Sequence, residues 1–170
     1  MPQIVSSGVI DVYPFFAGNG RVQHLTLLRT PGLTMGNTWQ AVHGRINRRE
    51  SAVRAAAREV GAQTGLPVAS LWNIDYVNTF YAPNEDAFFL VPSIGALITQ
   101  DADVALTPDH VNWEWTSVEI AMRRFQWIGQ QMALQTLHEQ IASPLAAGKA
   151  PNPHLQIDPS LYGRALRSGR

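Results

Sequence analysis

Between residues 44 and 66 the chain reads GRINRRESAVRAAAREVGAQTGL, and its polar residues have the types and spacing for handling a cation. Arg58 and Glu59 adjoin, Glu50 precedes them, and Gln63 follows Glu59 by four positions. A helix advances about 100° per residue, so spacings of three and four place Glu59, Ala62 and Gln63 on one face. Three carboxylates there would suit Mg²⁺, which takes oxygen ligands and shares them with phosphates. Of the three positions, Glu59 alone is an acid. Gln63 offers a neutral carbonyl oxygen and Ala62 offers nothing. A plainer reading of the same residues is an Arg–Glu pair on a solvated helix face.

The elements that must position these residues follow from patterning. Ser51 is a natural N-cap for a helix running to about Thr64, with Gly65 suited to the left-handed stop and Pro67 preventing resumption. Val53, Ala57, Val60 and Thr64 form its packing stripe. Upstream, IVSSGVIDVYPFF (4–16) and RVQHLTLLRT (21–30) read as two strands around the turn AGNGR. PGLTMGNT (31–38) reads as loop, and WQAVHGRI (39–46) as a short strand entering a turn. Downstream, SLWNIDYVNTFYA and EDAFFLVPSIGALIT read as a strand pair, and VNWEWT (111–116) as a further strand. SVEIAMRRF and QWIGQQMALQTLHEQIA read as helices, the second burying Trp127, Met132, Leu134, Leu137 and Ile141. Trp113 and Trp115 share a sheet face and are expected beneath these helices. After Ser143 the character changes, with four of the chain's 11 prolines. We therefore expect a domain over residues 1–143 and a tail over 144–170, loose or draped on the domain. Strands, helix, strands, helices is the order of a mixed sheet covered by helices.

Bulk properties narrow the classes. The chain's 170 residues are enough for one domain with a core, and 45% hydrophobic with 15% charged residues describes a folded globule. Thirteen basic and 13 acidic residues cancel, so no global field favours nucleic acid or anionic lipid. Without cysteine there is no disulfide, thiolate nucleophile or Cys-ligated zinc. The N-terminus lacks a basic region before its apolar stretch, and no window reaches the roughly 20 apolar residues of a membrane span. A cytoplasmic location is expected.

The spacing Gly44, Glu50, Arg58-Glu59-Val60 and Gly65-Leu66 resembles the signature of the Nudix hydrolase family, Gly-x5-Glu-x7-Arg-Glu-aliphatic-x-Glu-Glu-x-Gly-aliphatic. Ala62 and Gln63 replace its paired glutamates. TWQAVHGRI and TPDHVNWEWTSVEIAMRRFQWIGQQMALQTL are similar to flanking segments of the branch containing dATP and dihydroneopterin-triphosphate pyrophosphohydrolases. The likeness spans about residues 5 to 141. It implies an α/β fold, a Nudix-type α/β/α sandwich with a mixed β-sheet. It also implies cleavage of a pyrophosphate bond in a nucleoside triphosphate or related nucleoside diphosphate-X compound. Metal ligands would be Glu59, Glu50 and Gln63, holding Mg²⁺ or Mn²⁺ weakly. Arg58 would orient Glu59, and Gly44 would form a loop turn at the substrate site. With two acids gone, the resemblance implies either a reduced rate or acids supplied from elsewhere, Asp109 and His110 first, Glu114 and Glu119 after them. A fold that binds a nucleotide or a protein without catalysis is the alternative. Family analogy also admits a homodimer.

The remaining residues carry paired readings. Asp109 follows Pro108 and serves equally as a turn residue. Arg29 could meet phosphate oxygens or sit as an exposed strand end. Arg45, with Arg48 and Arg49, could bind polyphosphate or serve solubility. His24 and His43 belong to no metal spacing and read as ordinary strand residues.

Overall fold

The computed structural model describes residues 1–6 and 8–163. Their strands, β1 (Gln3–Ser6), β2 (Val9–Gly18), β3 (Arg21–Arg29), β4 (Trp39–Gln40), β5 (Val42–Arg45), β6 (Val68–Ala82), β7 (Ala87–Ile98) and β8 (His110–Thr116), form one mixed sheet. β1 and β2 both run parallel to β7, and the other pairings are antiparallel. One face carries α1 (Ala52–Thr64). The other carries α2 (Val118–Arg124) and α3 (Ile128–Leu137), which continues through a π-helical turn, His138–Ala142, into α4 (Ser143–Ala146). This is the α/β/α sandwich expected from the sequence.

The strand period of two sorts the core. Ile10, Val12, Leu25 and Leu27 face α1, while Tyr13 and Phe15 face the later helices. Helix α1 forms where alanine content is high. Ser51 Oγ accepts from Arg54 N at 3.3 Å, and Gly65 at φ 69° ends the helix by donating to Gly61 O. Ala55, Ala56, Ala57, Val60 and Thr64 are buried. Small residues there bring the helix axis close to the sheet.

Three expectations need correction. The first strand is two, because the chain has five residue steps from Ser6 to Asp11 where their β7 partners, Leu90 and Ser93, are three apart. One continuous ladder cannot absorb the excess. Trp127 and Met132 are exposed: Trp127 stands before α3, which starts at Ile128, and Met132 lies off the face on which α3 buries Ala133, Leu134 and Leu137. Trp113 and Trp115 lie opposite Leu27 and Leu25, so they pack in the α1 layer rather than beneath the terminal helices.

Beyond Ser143, the described tail lies against the domain. Ile157 N donates to Leu71 O, and buried Tyr162 accepts from Leu71 N through its hydroxyl. Residues 164–170 lie outside the described residues. No helix among those described is long and apolar enough to cross a membrane.

His24 is buried on β3, its Nε2 3.1 Å from His138 Nδ1. Burial first, and the neighbouring His138 second, lower its pKa from 6.5 to about 3. The unfolded chain therefore binds a proton below its ordinary value, whereas the folded chain binds none until much lower pH. The resulting stability is complete above about pH 6.5 and is lost as pH falls toward 3. By pH 5 the loss is on the order of 2 kcal/mol. Urea midpoints measured from pH 7 to pH 5 should fall for the wild type and fall less steeply for His24→Gln.

Candidate active site

Strand β5 carries the segment that meets helix α1. Gly44 lies within this strand, not in the turn expected for it, and its φ is not positive. What requires glycine is the approach of Glu59. A Cβ on Gly44 would lie 2.3 Å from Glu59 Cγ and 2.6 Å from its Cδ. The Glu59 carboxyl is thus seated directly on the bare backbone of β5.

Arg58 fastens this seat. Its NH1 donates to Glu59 Oε1 at 2.6 Å, its Nε and NH2 donate to the two Glu50 oxygens at 2.9 and 2.8 Å, and NH2 also reaches Arg45 O. Glu50 Oε2 further accepts from Asn47 N. The Arg58 hydrogen bonds, then Asn47, hold the Glu50 carboxyl below the usual carboxylate range, and Glu50 is the first cause of the raised Arg58 value. Glu59 Oε2 accepts from Gln63 Nε2 at 2.8 Å, and the same amide donates to His43 O at 2.9 Å.

Two cavities open beside this network. The larger, about 610 Å³, is lined by Arg29, Gly44, Arg45, Glu59, Gln63 and Asp109, among others. The smaller, about 140 Å³, is lined by Asp11, Thr38, Trp39, Gln126, Trp127 and Gln130. Met35, Gln40 and His43 line both, so the two cavities adjoin as chambers of one region of the surface. The Trp39 ring is braced by Arg124, whose guanidinium carbon stands 4.0 Å above it. Arg29 is steadied by donating from Nε to Thr34 O, and Asp109 lies in the turn that His110 N closes by donating to Thr107 O, its own carbonyl accepting from Thr30 N at the end of β3.

Six expected residues, Glu59, Gln63, Gly44, Arg45, Arg29 and Asp109, therefore reach one cavity. Arg58 and Glu50 do not line it and form its buttress instead. Glu114 pairs with Arg124, and Glu119 lines a separate cavity with His138. His110 is buried with Nε2 on Gln40, and burial, then Arg29, lowers its pKa.

Among the described residues no three His, Cys, Asp or Glu side chains cluster to hold a metal ion. Both Glu50 oxygens face Arg58, and Gln63 presents its amide hydrogens, not its carbonyl, to Glu59. A carboxylate attracts the donor end of a neighbouring amide, so Gln63 stands where a ligand was expected but acts as a hydrogen-bond donor. This donor set does not fit a resident group of divalent cations.

The residue that the motif did not single out is His43. Its Nδ1 lies 2.8 Å from Oδ1 of Asp11, which is only 2% exposed. The sequence held no local signal for it, because Asp11 and His43 become cross-strand partners only when β2 pairs with β5.

Comparison with known proteins agrees with this architecture. A family model, the NUDIX domain, matches residues 8–136. The chain belongs to the Nudix family. Among curated relatives, an octanoyltransferase from Myxococcus xanthus is 36% identical over 96 residues, 55% of this chain. The match spans 27% of that longer protein. A Listeria monocytogenes structure bearing the name NUDIX hydrolase superposes with TM-score 0.67 at 22% identity, covering 80% of this chain and 94% of its own. The dihydroneopterin triphosphate pyrophosphohydrolase of E. coli superposes with TM-score 0.62 at 18% identity, covering 82% and 98%. At these identities the structures speak for the shared Nudix fold.

Because Glu59 packs on the backbone of β5, Gly44→Ala should displace the carboxylate and destabilise this Nudix domain by roughly 1–3 kcal/mol, a typical overpacking cost. Chemical denaturation would read the loss, and Glu59→Ala in the same background should relieve most of it.

Proposed function

We propose that this Nudix chain is a pyrophosphohydrolase of reduced rate, acting on a nucleoside triphosphate or related nucleoside diphosphate-X compound. The observation that carries this reading is the two-chambered cleft. Arg29 and Arg45 stand in its larger chamber, and Trp39 and Trp127 in its smaller one. Guanidinium groups match phosphate oxygens in charge and geometry, and indole faces suit a base. His43 borders both chambers, with Met35 and Gln40, so in this reading one extended ligand places its base in one and its phosphates in the other. Mg²⁺ or Mn²⁺ enters here with the substrate, as the counter-ion of its phosphates. Catalysis is slow in this reading because two negative side chains of the family signature are absent.

Binding without hydrolysis is the second reading. It is favoured by the Gln63 amide on Glu59, which already occupies a carboxylate oxygen that a cation would require.

Turnover of a panel of nucleoside triphosphates and nucleoside diphosphate-X compounds, with Mg²⁺ and with Mn²⁺, separates the two. We expect slow release of phosphate products, with Arg29→Ala lowering kcat/KM about tenfold or more, as a lost charge-assisted hydrogen bond implies. Calorimetric binding with no product would favour the second reading. Neither binding nor product would end both.

A further inference from the structure

We propose that His43, held by Asp11, is the base that takes a proton from the attacking water. This rests on the hydrolytic reading above and names the group that performs its proton transfer. Asp11 sits on β2 and His43 on β5, directly opposite in the antiparallel ladder. The Asp11 side chain is 3% exposed and the His43 side chain 49% exposed, so the pair runs from the protein interior to the cleft. A buried carboxylate demands a donor, and His43 Nδ1 supplies one at 2.8 Å. In the neutral ring, committing Nδ1–H to Asp11 leaves the lone pair on the other nitrogen, Nε2. That is the tautomer of an imidazole ready to accept a proton.

The position suits the task. His43 lines both chambers of the cleft, at the place where the phosphate nearest the nucleoside would lie if the base occupied the tryptophan chamber. The acids of the signature are otherwise engaged: Glu59 by Arg58 and Gln63, Glu50 by Arg58. In the step, the water oxygen forms a bond to phosphorus while one water proton passes to His43 Nε2. The bond from that phosphorus to the bridging oxygen breaks, and its electron pair leaves with the departing phosphate. From a nucleoside triphosphate the products are a nucleoside monophosphate and pyrophosphate, and the proton on Nε2 then returns to solvent. Asp11, at the inner wall of the smaller chamber, acts through the imidazole as a positioning residue, fixing the tautomer and the ring.

His43→Gln preserves a side-chain N–H for Asp11 but offers no base. We expect kcat to fall about 100-fold or more, the usual contribution of a general base, with KM within about threefold of wild type. In His43→Ala, added imidazole should restore turnover in proportion to its concentration, a response that a purely structural histidine would not give. Asp11→Asn should lower kcat with little change in KM, and imidazole should not restore it. Circular dichroism and thermal melting establish that each variant is folded, and His43→Gln alone decides the matter should His43→Ala fail to fold. Wild-type turnover together with His43→Gln at wild-type kcat would overturn the assignment and leave the hydrolytic reading standing. No wild-type turnover on any nucleotide would overturn both.

Discussion

The guanidinium of Arg58 is the point on which the site's geometry hangs, because it joins three segments that are otherwise independent. It projects from α1, grips Glu50 from the preceding loop through a two-point contact, fixes Glu59 beside it, and reaches the carbonyl of Arg45 on β5. A planar fork with five donors can satisfy four such acceptors at once, and a lysine ammonium could not reproduce the planarity. Once this knot is tied, α1 can approach β5 only at one height. The bare backbone of Gly44 then receives the Glu59 side chain, and the edge of β5 becomes a wall of the cleft.

That arrangement also explains how a Nudix site can lose two carboxylates without collapsing. Ala62 is exposed and supports nothing around it. Gln63 is isosteric with glutamate, and its amide bridges Glu59 to the His43 carbonyl, so a donor occupies the place where repulsion between two acids would otherwise call for a cation. The substitution exchanges a further acid for a neutral donor, leaving Glu50 and Glu59 to share the one guanidinium of Arg58. In the proposed hydrolytic reading, charge for phosphate recognition comes from Arg29 and Arg45, which line the cleft.

Sheet parity places the rest. Alternate residues of β2 serve different layers: Ile10 and Val12 pack beneath α1, while Asp11 turns to the other face and meets His43. A carboxylate in the middle of an apolar strand is unusual, and its partner lies on a strand more than thirty residues away. The same parity rule takes Trp113 and Trp115 into the α1 layer, opposite Leu27 and Leu25.

Much of this was legible in the sequence. The N-cap, the glycine stop and the alanine-rich stripe of α1 are local properties of backbone and side chain, as are the alternating strands, and these specify the elements. The spacing from Gly44 to Leu66 declared the family. The sequence could not declare which side-chain atoms would meet. Whether Gln63 turns its carbonyl or its amide toward Glu59, whether Glu50 faces a cation or Arg58, and whether His43 is an ordinary strand residue or the partner of a buried acid all depend on contacts between distant segments. Periodicity reports which face a residue occupies, but register and packing decide what stands opposite. For that reason the fold was written in the chain, while the chemistry of its cleft was decided only when β2, β5 and α1 came together.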